Sequence, residues 1–368
     1  MHFTIIGNHQ NRRVVAFRDT LRLLGHEALH ISYKYWLNRK KRPLIPPGSI
    51  VKIDSPGEDD FLRMLFVARG KGLTMTKQAE HGEIKDMCAW YAGYCSWLQE
   101  MQMLMQEQPA MQVMNDPADI QLQFNKPACQ SFLQQQGIPV PDRLPEFCNY
   151  DELVQHMQQQ NVHKVFIKPA HASSASGVIA FRRSGHRVQA VAAIEMVSTN
   201  KSLQLFNSLK VFTYTNESAI AALVNSMVAE NIFAEVWLPK ATINDRFFDV
   251  RVLVIAGKAR HTVIRTSKHV LTNLHLGNRR GDLNEFIAII GNNKLQEIKQ
   301  LAEQAAACFP KSLYMGIDIL LTADLRKTVV LEINAFGDLL PGLIDDGETG
   351  YEAQINAMVK KQEQRPIC

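Results

Sequence analysis

The chain has 368 residues, 46% of them hydrophobic and 21% charged, and its 41 Lys and Arg against 36 Asp and Glu give a formal charge of +5. That length suits two or three packed units, and that composition excludes a largely disordered chain. The mild basic excess is compatible with a small anionic ligand and too weak to argue for nucleic acid.

In chain order, MHFTIIGNHQ opens with a strand over Phe3–Ile6. Gly7 then turns the chain into a helix whose apolar residues Val14, Val15, Phe17, Leu21 and Leu24 recur at helical spacing. Gly25 ends that helix and Ala28–Ile31 reads as the next strand, a βαβ start that predicts a parallel sheet. The segment lacks a GxGxxG fingerprint, so a tightly bound dinucleotide is not expected. KYWLNRKKRP, Lys34 to Pro43, is the one dense basic cluster; it reads as a solvated loop or helix end, with a local anion or partner site as the alternative. Residues 85–114 are rich in Met, Gln, Trp and Tyr, and SWLQEMQMLMQEQ within them predicts a helix whose Met stripe serves packing. Asp116-Pro117 predicts a turn, a helix follows near 126–136, Gly137 caps it, and IPVP leaves as an extended segment.

From Lys164 the pattern turns to strands. KVFIKPAHASSASGVIAFRR reads as strand, loop, strand; SLQLFNSLKVFTYTNES is mixed; NIFAEVWLPK is a strand reaching a turn. FFDVRVLVIAGKARHTVIRTSK predicts a long hairpin with Ala256-Gly257-Lys258 at its tip, and NKLQEIKQLAEQAAACFP an amphipathic helix. YMGIDILLTADLRKTVVLEIN predicts a second hairpin, and a last helix closes the chain. Six cysteines at 88, 95, 129, 148, 308 and 368 form no CxxC pair, which predicts reduced thiols in a cytosolic protein. No basic-then-apolar leader opens the chain and no apolar run approaches the roughly 18 residues of a membrane helix, so a cytoplasmic protein without a membrane partner is expected.

Three stretches carry chemistry. In VVLEINAFGD the alternation of a strand predicts Val329, Leu331 and Ile333 on one face and Val330, Glu332 and Asn334 on the other. Asp318 interrupts the preceding apolar strand, and hairpin pairing would set it beside Glu332 and Asn334. Three oxygen donors on one face suit a hard cation such as Mg²⁺; a merely wet hairpin face is the plain alternative. In KVFIKPAHASSASGV, Lys168 precedes a loop of small residues whose backbone could approach phosphate oxygens, against the plain reading of a polar turn with an edge lysine. In DVRVLVIAGKARHTVIRTSKHVLTNLHLG, Asp249 and Arg251 share a face, Arg265 lies near the end of the return strand, and Asn273 and His275 follow; surface charges on a half-buried hairpin are the alternative.

The order of these pieces resembles the ATP-grasp superfamily over roughly residues 116–350, and most of all the branch of the ribosomal-protein S6 glutamate ligases and glutathione synthetases. LEIN, an apolar strand ending in E-x-N, is the most telling tetrapeptide. The resemblance implies an α/β and α+β fold: a Rossmann-like domain over 1–116, then an ATP-grasp module with a central subdomain at 117–230 and a C-terminal subdomain at 231–368. It also implies that Lys126, Lys168, Ser174, Ser176 and Gly177 meet phosphates, that Glu235, Val236, Trp237 and Leu238 form the hinge holding adenine and ribose, and that Asp249 lies near the ribose. Asp318, Glu332 and Asn334 match the metal ligands, for two Mg²⁺ ions with Mn²⁺ as a substitute, and Arg251, Arg265 and Asn273 would act at the reacting group. The loop departs from the family pattern in holding one glycine, Gly177, and HLGNRRGD stands where the nearest branch tends to have paired glycines.

The implied function is an ATP-dependent ligase that joins a carboxylate to an amine, or to a thiol, through an acylphosphate. Its substrates would be small molecules or peptides, with no nucleic acid and no membrane involved, and with a homodimer as the general expectation for a soluble chain. The rival readings are a kinase of the same fold and a non-catalytic ATP-binding module. The acidic run LPGLIDDGETGYE offers Asp345, Asp346 and Glu348 either to a substrate ammonium or simply to solvent.

Overall fold

The computed structural model describes residues 1–38, 42–173, 176–198, 203–271, 279–337 and 342–364. The chain begins β1 (His2–Ile6), α1 (Arg12–Leu23), β2 (Glu27–Ile31), α2 (Tyr33–Leu37), β3 (Ile50–Ile53), α3 (Asp60–Gly70), α4 (Met87–Glu107) and β4 (Gln112–Val113). These four strands form the expected parallel sheet, in the order β2-β1-β3-β4. Asn11 starts α1 by accepting a hydrogen bond from the Arg13 backbone N–H at 2.9 Å, and Phe17 and Leu21 bury its inner face. Helices α3 and α4 cross at Gly70 and Gly93, where a Cβ on either would lie 1.9 Å from a backbone oxygen of the other helix. Only glycine permits that approach.

Next come α5 (Pro117–Gln123), α6 (Lys126–Gln135) and α7 (Tyr150–Gln159). The turn expected at Asp116-Pro117 is instead a helix start. Asp116 caps α5 by accepting from the Ala118 N–H at 2.8 Å, and Pro117 takes a first-turn position whose N–H would have been unpaired anyway.

A central antiparallel sheet is built from β5 (Lys164–Pro169), β6 (Ile179–Ser184), β7 (Arg187–Ser198), β8 (Leu203–Tyr214) and, after α8 (Glu217–Val228), β9 (Ile232–Val236), in the order β8-β7-β6-β5-β9. The stretch read as mixed is the single long strand β8, whose edge is partly covered where residues 82–84 bond to it. Leu153 of α7 and Leu223 and Val224 of α8 pack on one face of this sheet.

The third sheet holds β10 (Thr242–Ile243), β11 (Arg246–Ile255), β12 (Lys258–Ser267), β13 (Arg279–Arg280) and, after α9 (Leu283–Ile290) and α10 (Asn292–Ala307), β14 (Tyr314–Leu321) and β15 (Thr328–Asn334). Its order is β13-β12-β11-β14-β15, with β10 beside β11. A small pair, β16 (Ile344–Asp345) and β17 (Glu348–Thr349), leads into α11 (Gly350–Glu363). Helix α10 covers one face through Leu295, Ile298 and Ala302, which meet Val250, Val252, Ile317 and Ile319. The opposite face is where the charged residues of these strands gather.

Strict alternation fails at one point of β15. The register runs Ile317↔Ile333, Asp318↔Glu332, then Ile319↔Val330, so Leu331 is an extra residue in a bulge. Val330 and Ile333 therefore both enter the core under α10, while Leu331 and Glu332 stand side by side on the other face. The expectation that Val330 shares the face of Glu332, and Leu331 that of Ile333, is corrected by this bulge.

The N-terminal sheet is tied to this third sheet by a buried charge. Lys52, 1% exposed in the middle of β3, donates to the Tyr314 hydroxyl at 2.5 Å and lies 3.4 Å from Asp54. Burial alone would push its ammonium toward neutrality, but Asp54 and Tyr314 more than offset that and hold it charged.

Candidate active site

One cavity of about 460 Å³ is lined by the central and third sheets and, from the N-terminal region, by the start of α1, the loop at 55–58 and Trp90 of α4. Register accounts for its charged floor. Directly opposite partners across antiparallel strands share a face, and here Arg251 faces Asp318, which faces Glu332, while Asp249 faces Arg265. Asn334, two residues beyond Glu332, lines the cavity as well, and its side-chain amide lies 3.4 Å from the Gly316 carbonyl.

The Arg251 guanidinium grips Asp318 with two hydrogen bonds of 2.6 and 2.8 Å, and Arg265 reaches the same carboxylate at 3.0 Å. Arg265 also donates to Asp249 at 2.6 Å, and the other Asp249 oxygen accepts from Lys240 at 3.2 Å. Lys240, Asp249, Arg265, Asp318 and Arg251 thus form one continuous chain of alternating charge. Burial would raise the Asp318 carboxyl, yet Arg251 and Arg265 hold it well below the usual carboxylate range. Asp249 is held low in the same way, against burial, by Arg265 and Lys240. Burial, with Arg265 nearby, pushes the Lys240 ammonium down despite Asp249.

The two lysines expected at phosphates each hold an acid. Lys126, the first residue of α6, donates to Glu332 at 2.5 Å. Lys168, in β5, donates to Glu235, whose second oxygen accepts from Gln130 at 2.9 Å. Ser176, Glu235, Val236 and Leu238 also line the cavity. Gly177 and Trp237 do not. Gly177 is buried at φ +71°, where a Cβ would lie 2.6 Å from Pro169 Cγ, so packing and backbone conformation both favour glycine there. The Trp237 ring packs on Phe166, itself a cavity-lining residue, with centroids 5.0 Å apart. The hinge backbone is also partly committed: the N–H groups of Val236 and Trp237 bond to the carbonyls of Asp142 and Lys164 at 2.8 and 3.0 Å. Asp249 likewise has both oxygens engaged by cations.

Ser174, Asn273 and His275 lie outside the described residues. The acidic run is accounted for in part: Arg260 binds Asp345 at 2.7 Å and Glu348 at 3.0 Å, so these two carboxylates already have a cation. Sequence reasoning missed Lys240 and the N-terminal contributors Arg12, Arg13 and Glu58. A signal for Lys240 existed in Asp249 itself, since an acid inside FFDVRVLVI needs cationic partners once buried.

The family model for YheC/D-like ATP-grasp proteins matches residues 120–337. The chain belongs to this ATP-grasp family. Solved structures agree with the fold over nearly its whole length. The ATP-grasp ligase PsnB, complexed with a minimal precursor, Mg and ADP, is 16% identical at a TM-score of 0.56, covering 96% of each chain. The macrocyclase MdnC from Microcystis aeruginosa MRC, bound with its precursor peptide MdnA, is 13% identical at 0.55, covering 98% of this chain and 100% of that one. D-alanine–D-alanine ligase from Bacillus anthracis, complexed with ATP, is 12% identical at 0.51, covering 99% and 98%. No curated protein matches this ATP-grasp chain in sequence. Among the described residues no helix is long and apolar enough to cross a membrane.

Proposed function

We propose that this ATP-grasp chain is an ATP-dependent carboxylate–amine ligase working through an acylphosphate. The observation that carries the proposal is the row Arg251, Asp318, Glu332 on one sheet face, with Asn334 beside it and Lys126 and Lys168 lining the same cavity. Structural neighbours described as ligases or a macrocyclase, in complexes with ATP, with Mg and ADP, or with precursor peptides, support the same class. The E-x-N strand end supports placing the chain near the ribosomal-protein S6 glutamate ligase and glutathione synthetase branch. Under this reading residues 1–116 help bind substrate, 117–230 close over the nucleotide, and 231–368 carry the reacting centre.

Two carboxylates and a carboxamide fit a hard cation that completes its shell with water and phosphate oxygens. Among the described residues no group of three His, Cys, Asp or Glu side chains gathers for a metal, so Asn334 is a necessary third donor beside Asp318 and Glu332. Mg²⁺, or Mn²⁺ in its place, would supply charge neutralisation between the β- and γ-phosphates. Lys126 and Lys168 would exchange their carboxylate partners for phosphate oxygens. Arg251 and Arg265, fixed by Asp318, would hold the transferring phosphoryl group. A substrate carboxylate oxygen attacks the γ-phosphorus and ADP leaves; an amine then attacks the acyl carbon, phosphate leaves, and the amine's proton passes to solvent. The protein's part is positioning and electrostatics.

The test is an ADP-release screen of carboxylates against amines, followed by mass spectrometry of the product. Hydroxylamine should trap the acylphosphate as a hydroxamate, and Glu332→Ala should abolish turnover. A phosphorylated alcohol as the product would make the chain a kinase. Binding of Mg-ATP with no turnover on any acceptor would make it a binding module.

A further inference from the structure

The wall of the cavity contributed by the start of α1 and the loop at 55–58 has a chemistry the ligase reading leaves unused. In the floor and hinge Lys126, Lys168, Lys240, Arg251 and Arg265 each hold an acid. Arg12 and Arg13 line the same cavity, and neither guanidinium has a hydrogen bond or ion pair among the described residues. They stand on a fixed surface. Asn8 donates to the Gly57 carbonyl at 2.7 Å and Asn11 donates to Glu58 at 3.2 Å, so the start of α1 is fastened to the loop at 55–58 that completes this wall.

A second observation is independent of these arginines. Gln123, the last residue of α5, is 4% exposed and lines the cavity, yet both its amide nitrogen and its amide oxygen lack a partner. A buried carboxamide left unpaired is costly, and one donor beside one acceptor matches another amide. The cavity therefore presents two cations and one amide-reading group beyond what nucleotide binding employs.

We infer that this wall is a co-substrate subsite for an amide-containing acid with a second anionic group, Arg12 and Arg13 taking that anion and Gln123 the amide. Amino-acid-derived and peptide-derived diacids have this chemistry. The inference rests on the ligase reading only for the place of the nucleotide.

The experiment is calorimetric titration of three probes into the full chain saturated with Mg-AMPPNP. N-acetyl-L-glutamate has both carboxylates and the amide, N-acetyl-4-aminobutyrate lacks one carboxylate, and glutarate lacks the amide. The wild type should bind N-acetyl-L-glutamate about tenfold or more tightly than either truncated probe, the scale of a lost charge-assisted hydrogen bond. Arg12→Gln/Arg13→Gln, at partly or fully exposed positions, should erase the preference over N-acetyl-4-aminobutyrate and leave that probe's own affinity unchanged. Gln123→Leu, whose folding is checked by its unfolding curve, should erase the preference over glutarate. Mg-AMPPNP affinity should stay within about twofold in all variants, since none of these side chains is assigned to the nucleotide. Equal binding of the three probes by the wild type, no binding of any, or an equal loss of all three in the arginine variant would overturn the inference. If Mg-AMPPNP itself does not bind, the ligase reading fails; the titrations repeated without nucleotide then decide the subsite alone, by the same preference and its dependence on Arg12 and Arg13.

Discussion

On the β10–β15 sheet, Asp249 and Asp318 each serve two cations, so that five side chains from Lys240 to Arg251 are joined in one buried chain. On the β5–β9 sheet the cavity charge reduces to Lys168 and Glu235, with Gln130 occupying the spare oxygen. The difference lies in how far a single loss travels. An acid shared by two cations disturbs both when removed, whereas a local pair leaves one neighbour to adjust. The first arrangement fixes its side chains against one another before any ligand arrives; the second holds a single lysine through a single acid.

The greatest loss is expected at the shared acid. Asp318→Ala should lower stability by about 3–5 kcal/mol, because it takes a buried carboxylate from Arg251 and from Arg265, the latter keeping Asp249. Urea unfolding measures this, and a cost below about 1 kcal/mol would mean the charges are not truly shared. The pH dependence has a definite sign. A carboxyl held below its ordinary range contributes fully above the unfolded value of 3.8 and loses that contribution as pH falls further. The gap between wild type and Asp318→Ala should therefore be constant near neutrality and shrink below about pH 4.

On the central sheet the strongest pH response should come from a histidine. His171, just beyond β5, stacks on Tyr91 with centroids 3.8 Å apart, and burial lowers its pKa from 6.5 to about 4. The folded chain prefers the neutral ring, so stability is full above pH 6.5 and declines as pH falls toward about 4, by up to about 3 kcal/mol. His171→Phe should flatten that slope in denaturant titrations at pH 7, 6 and 5. Next in size, Gly177→Ala should cost about 1–3 kcal/mol through crowding against Pro169 and Met227 and an unfavourable φ. The smallest change in stability should accompany Glu332→Ala, within about 1 kcal/mol, since its pair with Lys126 is partly open to solvent. Unfolding and ADP release measured on the same sample separate that modest effect from the loss of turnover.

Much of this arrangement was legible before any coordinates, for identifiable reasons. Acids inside apolar strands, Asp249, Asp318 and Glu332, announce themselves because burying a charge demands partners. Period-two alternation also sets Asp249 beside Arg251. What stayed hidden depends on backbone register or on distant chain. The bulge at Leu331 is a hydrogen-bond offset between two strands, which residue periodicity does not encode. Lys240 sits between β9 and β10, bridged to Thr322, and acquires meaning only where Asp249 comes to meet it. Arg12 and Arg13 belong to a helix more than a hundred residues before the first motif. Trp237 follows the hinge strand in sequence, and only the fold shows that its ring packs on Phe166.

Leu331 has one more implication. Removing it would leave an unbroken ladder in which Ile319, Asp318 and Ile317 still meet Val330, Glu332 and Ile333. Pairing thus has no use for this side chain, and its presence doubles the number of groups that β15 projects opposite Asp318. A chain shortened by that single residue should assemble its third sheet normally and differ only in what rests upon it, which makes Leu331 a greasy platform laid beside an acid by a miscount in the backbone.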